Sequence, residues 1–198
     1  MKPEYEIKFY PIVPSIIQET LRLHNAHMLQ SETLMKRAIY PVEYNSDQSL
    51  KAWIRIRTEG SKTTLSFKKI VNPDSLDGTL ENEISVNSFE DACTIVREMG
   101  FKQLSFQENT RETWALNNTI ITLDRWPGLE PLLEIEGQEP NDVLNLVNLL
   151  GLDATQGTTR SIGTLYQKQY GLTATEFNTI ELLTFETAHE VLKKSNVF

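Results

Sequence analysis

Carboxylates and cations recur at every second residue in several short segments of this chain. Because side chains alternate faces along a strand, that spacing gathers oxygen donors and anion-gripping groups on one side of a sheet. The first segment places Glu4, Glu6 and Lys8 on one face and Tyr5, Ile7 and Phe9 on the other. In later segments Trp53, Arg55 and Arg57 share a face, as do Thr64, Ser66 and Lys68, and Glu81 and Glu83. Gln103, Ser105, Gln107, Asn109 and Arg111 line another, and Asp124, Glu134 and Glu136 complete the in-phase set. Carboxylate oxygens are hard donors suited to Mg²⁺ or Mn²⁺. Arginine forks match phosphate oxygens, and lysines supply compact positive charge. One such strand is what any half-exposed sheet shows. Several, with both signs of charge, point to a sheet curled around a charged cavity. Burying those charges is costly unless they are paired, hydrated or ligand-bound, so the cavity suits a polyanion and its metal.

The elements that must position these groups are mostly strands. After the first strand, Pro14-Ser15 opens a helix expected to run to about His27, with Ile16, Ile17, Leu21 and Leu23 as its apolar stripe. Strands follow at 33–40, 52–58 and 63–70, the last two joined by the Gly60-Ser61-Lys62 turn, and another at 80–86. A polar stretch around Tyr44-Asn45-Ser46-Asp47 separates the first two of these. Ser88, with Asp91 three residues on, caps a helix that ends at Gly100 and turns Ala92, Ile95, Val96 and Met99 inward; Cys93 reads as a small core residue on it. A long strand is expected at 102–116, then Asn117-Asn118 turns into a strand at 119–126, and Pro127-Gly128 precedes one at 132–137. Helices close the chain at 141–150, at 161–170 and near the C-terminus.

Near-continuous hairpins imply an antiparallel sheet, and its apolar face needs the helices as cover. That leaves the charged face inside: an α+β fold built on a closed antiparallel barrel with helices packed outside. The tunnel is expected over residues 1–171, with 172–198 as a helical extension that caps it.

With 198 residues, 39% hydrophobic and 23% charged, the chain holds one substantial globular domain. A net charge of −8 argues against binding a nucleic-acid backbone, while a divalent cation can still bridge carboxylates to a small phosphorylated ligand. The lone Cys93 excludes an internal disulfide and a thiolate metal cluster. The opening residues carry no apolar leader and no run approaches membrane-spanning length, so a cytoplasmic protein without membrane contacts, monomeric or homodimeric, is expected. His24, His27 and His189 fall on expected helices without metal-ligand spacing. Lys168 and Tyr170 sit on a late helix, where a structural role is favoured over a substrate contact. One of Lys36 and Arg37 is placed to aim a cation inward, its register left open.

Taken together and in order, these segments resemble the CYTH superfamily of triphosphate tunnel metalloenzymes. Glu4-x-Glu6-x-Lys8 is similar to its ExExK signature, Trp53-Ile54-Arg55-Ile56-Arg57 to its arginine strand and Leu65-Ser66-Phe67-Lys68 to its lysine strand. Glu81-Asn82-Glu83 is similar to its paired-glutamate strand, and Asn109–Trp114 to its later arginine strand. Leu123–Gly128 with Glu134-Ile135-Glu136-Gly137 resembles its closing acidic strands. The resemblance spans about residues 4–171. The segment at 40–50 lacks the family's Asp-Thr-Pro-like turn, and the tail from Glu176 to Lys194 is additional.

The resemblance implies a tunnel of about eight strands and divalent-metal-dependent cleavage of a small-molecule triphosphate. The family includes inorganic, thiamine and RNA triphosphatases and class IV adenylyl cyclases, which convert ATP to cyclic AMP and pyrophosphate. It assigns metal binding to Glu4, Glu6, Asp124, Glu134 and Glu136, and the triphosphate to Lys8, Arg55, Arg57, Lys68 and Arg111. Glu4, Glu6 and Lys8 form the catalytic signature, and Glu81 and Glu83 complement the cations or assist the metal. Trp53 either stacks on the substrate's organic group or packs at the barrel mouth.

Overall fold

Alternation of charged and apolar residues folds as strand almost wherever it occurs between residues 2 and 137. The computed structural model describes residues 1–43 and 51–193; the polar stretch at 44–47, most of the 40–50 turn segment and Lys194 lie outside them. The chain runs β1 (Lys2–Phe9), α1 (Pro14–Leu23), β2 (His27–Val42), β3 (Lys51–Glu59), β4 (Lys62–Ile70), β5 (Thr79–Val86), α2 (Phe89–Glu98), β6 (Ser105–Leu116), β7 (Thr119–Arg125) and β8 (Leu132–Gly137). Then come α3 (Pro140–Leu149), α4 (Ile162–Tyr170), α5 (Ala174–Asn178), β9 (Leu182–Leu183) and α6 (Ala188–Val191).

Strands pair in the order β2-β3-β4-β5-β1-β8-β7-β6, and β6 pairs back onto β2. Every pairing in that ring is antiparallel, so the eight strands close into a barrel. The expected inversion of an ordinary barrel is present: the apolar faces point outward and are covered by helices. Ile7, Phe9, Trp114, Ile121, Leu123, Leu133 and Ile135 pack against Ile17 and Leu21 of α1 and Val143, Leu146 and Val147 of α3. Each fully buried side chain of this kind contributes about 1.5–3 kcal/mol. A second layer sets Ala92, Cys93 and Val96 of α2 on Ala38, Tyr40 and Ile56. A third cluster, with Trp126, Leu132, Tyr166, Ile180, Leu183 and Leu192, gathers the end of β7, the start of β8 and the C-terminal elements.

Several local expectations are corrected. The first helix stops at Leu23, because Asn25 takes a left-handed conformation (φ 58°) and redirects the chain, so His27 begins β2 instead of ending α1. β2 is correspondingly long at 16 residues, and its register against β6 shifts twice between Met28 and Thr33. β6 begins at Ser105, not 102. On α2, Ser88 caps as expected, accepting a hydrogen bond from the Asp91 amide at 3.1 Å. However, Ile95 and Met99 are 59% and 70% exposed, and the buried stripe is Ala92, Cys93 and Val96. The segment after Gly171 is not purely helical: Leu182–Leu183 adds to β6 in parallel, opposite Phe106 and Gln107. Among the described residues no helix is long and apolar enough to cross a membrane.

Candidate functional site

Register fixes which side chains meet. In antiparallel pairs, directly opposed residues share a face, so each ladder carries one ring of lumen groups across several strands. One ring reads Gln107, Arg37, Arg57 and Thr64, and the next Ser105, Ile39, Arg55, Ser66 and Glu83. A further ring sets Trp53 opposite Lys68, Glu81 and Lys2. On the other side of β1, Lys8 faces Glu134 and Thr122, and Glu6 faces Glu136.

The in-phase residues carried by the paired strands share one interior, where the charged ones except Glu136 form alternating ion pairs. Gln103 does not join them, since it precedes β6, is exposed and accepts a hydrogen bond from the Tyr40 hydroxyl at 3.3 Å. The Lys8 ammonium donates to Glu6 at 2.6 Å and lies 3.4 Å from Glu134. Lys68 donates to both Glu4 oxygens, at 2.7 and 2.8 Å, and reaches Glu81 at 3.2 Å. Arg55 bridges Glu81 (3.0 Å) and Glu83 (3.3 Å), and Arg57 lies 3.7 Å from both Glu59 and Glu83. Arg111 forks onto Asp124 through Nε (2.7 Å) and Nη2 (2.6 Å), with Glu134 at 3.5 Å. Asp124 is only 1% exposed. Glu136 has no ion-pair partner among the described residues. Trp53 is half-buried on the same face as Arg55 and Arg57.

The crowding shifts protonation. Burial, a hydrogen bond with Glu81 and the charge of Glu6 push the Glu4 carboxyl up to about 8. Burial opposes ionisation of Glu81 too, but Glu4's hydrogen bond, Lys68 and Arg55 hold it down to about 2. The pair thus keeps one proton between two carboxylates. Although Glu136 opens to solvent, desolvation by the wall and repulsion from Glu134 and Glu6 raise it. Burial works against charge on Lys8, Arg111 and Glu134 alike. Their opposite neighbours win, raising Lys8 and Arg111 and holding Glu134 well below the carboxylate range. Arg57 is lowered to about 10 by burial and by Arg55 and Arg111.

The sequence left the β2 register open, and the structure resolves it: Lys36 is exposed and Arg37 is the inward cation, 7% exposed. Its guanidinium lies 4.4 Å above the Trp126 ring and donates to the Asn109 side-chain oxygen. Burial and the nearby Arg55, Arg57 and Arg111 lower its pKa well below the usual arginine value. Phase counting missed it because the β2 irregularities at 28–33 break the two-residue period upstream; only the pairing of Arg37 with Arg57 reveals its face. Glu59, Thr64 and Ser66 also belong to the lumen. Of the histidines, His27 starts a strand and none joins the charged set.

Donor chemistry fits a divalent cation with phosphate. The carboxylates are hard oxygen donors that repel one another, and Nε of Arg37, Arg55 and Arg57 together with the Thr64, Ser66, Ser105 and Thr122 hydroxyls are buried without hydrogen-bond partners. Among the described residues no three His, Cys, Asp or Glu side chains are gathered as a preformed metal cluster, because the carboxylates lean toward lumen cations instead.

The family model described as the CYTH domain matches residues 2–162. No curated protein matches the chain. Among solved structures, the PH1012 protein from Pyrococcus horikoshii OT3 is similar with 22% identity and a TM-score of 0.65, over 80% of this chain and 96% of that one. A candidate adenylate cyclase from Vibrio parahaemolyticus is similar with 13% identity and a TM-score of 0.68, over 83% and 97%. A candidate adenylyl cyclase from Hippeastrum, described as having a dominant triphosphatase activity, is similar with 18% identity and a TM-score of 0.51, over 88% and 98%. At such identities these likenesses establish a common fold. With the family match running through all eight barrel strands and the charged rings in its interior, the chain belongs to the CYTH domain family.

Proposed function

We propose that the protein is a divalent-metal-dependent hydrolase of a triphosphate-containing substrate: inorganic triphosphate, thiamine triphosphate or a nucleoside triphosphate. The observation that carries this reading is the interleaving of buried cations, several with unpartnered N–H groups, and carboxylates around one lumen. Apart from Arg37 and Glu136, such a lattice is paired without ligand and can exchange partners with one. Phosphate oxygens take over Lys8, Arg55, Arg57, Lys68 and Arg111, which frees the carboxylates those side chains had engaged. Glu4, Glu6, Asp124, Glu134 and Glu136 would then hold Mg²⁺ or Mn²⁺, with Glu81 and Glu83 positioning the cations. When bound, the cation neutralises phosphate charge and lowers the pKa of bound water.

In the reaction a water oxygen bonds to the terminal phosphorus as the bridging P–O bond breaks, the diphosphate portion leaves with the bond's electron pair, and the proton of the attacking water passes to solvent. The protein's contribution is electrostatic: the lumen arginine and lysine groups would engage the non-bridging oxygens and compensate charge as it moves to the leaving group. Trp53, on the Arg55 face, is placed to stack on an organic substituent. Cyclisation of ATP is the second reading, favoured by the cyclase names of the Vibrio and Hippeastrum proteins of the same fold. Incubation with tripolyphosphate, thiamine triphosphate or ATP in Mg²⁺ or Mn²⁺, with product identification, separates the readings. Orthophosphate supports the hydrolase, cyclic AMP with pyrophosphate the cyclase; saturable binding without product refutes both.

A further inference from the structure

We infer that Arg37, on a floor made by Trp126, is the binding group for the terminal phosphoryl of the substrate; this rests on the triphosphate reading above and adds a cation to those the family resemblance supplies. Four arginines converge in the lumen, and three of them, Arg55, Arg57 and Arg111, have carboxylates within 4 Å. Arg37 has none among the described residues. Its Nη2 donates to the neutral Asn109 amide, whose own NH₂ is fixed by the Thr110 carbonyl at 3.2 Å and the Met35 sulfur at 3.7 Å. Its Nε has no partner at all, and the ring face of Trp126 compensates its charge only in part. A buried guanidinium offset only by the Trp126 ring and by Asp124 beyond ion-pair distance is costly for a fold to keep, so its presence calls for an anion that arrives later.

The neighbours are built for the same anion. Arg37, Arg57 and Thr64 lie on one register ring, and each has a buried polar atom without a partner; the adjacent ring repeats this with Arg55, Ser66 and Ser105. These donors and hydroxyls match the several oxygens of one phosphoryl group. Position identifies which phosphoryl. Trp126 belongs to the apolar cluster with Leu132, Tyr166 and Leu183 that lies across this end of the barrel. β8 leads from Leu132 in that cluster to Glu134 and then Glu136, which opens to solvent. A chain of phosphates entering past Glu136 meets Arg37 with its leading, doubly charged end, and Trp126 stops it there.

The test titrates tripolyphosphate with Mg²⁺ into wild type, Arg37→Met and Asn109→Asp, and follows unfolding of each without ligand. Arg37→Met should weaken binding about 10- to 100-fold, the range expected for a lost charge-assisted fork. Asn109→Asp, nearly isosteric, gives Arg37 an internal anion; it should weaken binding while raising the ligand-free Tm. A merely structural Arg37 predicts a lower Tm for Arg37→Met and unchanged affinity in both variants. If Arg37→Met does not fold, Asn109→Asp decides. Equal affinity in wild type and variants overturns this inference and leaves the triphosphate reading standing, whereas no binding by wild type overturns the triphosphate reading itself. P1,P3-diadenosine triphosphate, capped at both ends, tests the terminal assignment. Wild type should favour tripolyphosphate, and Arg37→Met should remove most of that preference; equal losses on both ligands would contradict it.

Discussion

Glu4 is a carboxylate whose environment works against its charge. It keeps a proton up to about pH 8 in the folded chain, where an ordinary glutamate loses it near 4.5. Folded protein therefore binds more protons than unfolded protein across that window, and this group's contribution to stability falls as pH rises through it. Glu81, held down to about 2, and Glu134, also depressed, act oppositely: their stabilisation is present above the ordinary carboxylate range and lost as pH falls below it. Ligand-free protein is thus expected to lose about 5 °C in Tm between pH 5 and pH 8.5, and Glu4→Gln to flatten that slope, as measured by thermal unfolding in parallel buffers. The second residue-scale prediction concerns the Arg111–Asp124 fork. Removing one partner of a buried pair leaves the other uncompensated, so Asp124→Ala should destabilise by about 3–5 kcal/mol in urea unfolding. A cost under about 1 kcal/mol would mean that Glu134 alone suffices for Arg111.

Among the elements, the hairpins were the most legible in sequence because a period of two survives any change of partner. The charged faces of β1, β3, β4, β5, β7 and β8 follow directly from alternation. What alternation cannot convey is an interruption of its own phase. The shifts in β2 near Met28 to Thr33 hid Arg37, and the left-handed Asn25 ended α1 at Leu23, the last residue of its apolar stripe, short of His27. α2 was misjudged differently: Ile95 and Met99 fit a helical stripe, but the small Ala92 and Cys93 let the helix approach Tyr40 and Ile56 along another edge. β9 carried no signal, since two residues define no period. The C-terminal elements dock through Gly128, which has φ +76° and lies where an added Cβ would sit 2.6 Å from both the Leu192 Cδ1 and the Tyr170 hydroxyl. Gly128→Ala is therefore expected to loosen α4 and α6 from the barrel, seen as faster amide exchange in 162–193 with β1–β8 protection retained. Uniform exchange across the chain would show that the barrel and its cap unfold together.

At the scale of the whole molecule, closure of the sheet was legible because both faces of every strand had to be satisfied. Apolar faces claimed by helices leave the charged faces only one another, and the pairing of β6 with β2 completes the enclosure. Partner choice within the lumen was not legible, because it depends on strand stagger: Lys68 reaches Glu4 from a strand that does not pair with β1, and Arg111 reaches both Asp124 and Glu134. On the proposed function, these internal ion pairs give way to a triphosphate and its metal. Calorimetric titration of tripolyphosphate with Mg²⁺ into wild type, Arg55→Ala and the exposed control Lys102→Ala tests it most directly. Binding should be saturable, weakened about 30-fold or more by Arg55→Ala and unchanged by Lys102→Ala; equal affinities for all three proteins, with each folded, would show that the lumen ion pairs do not yield to the ligand.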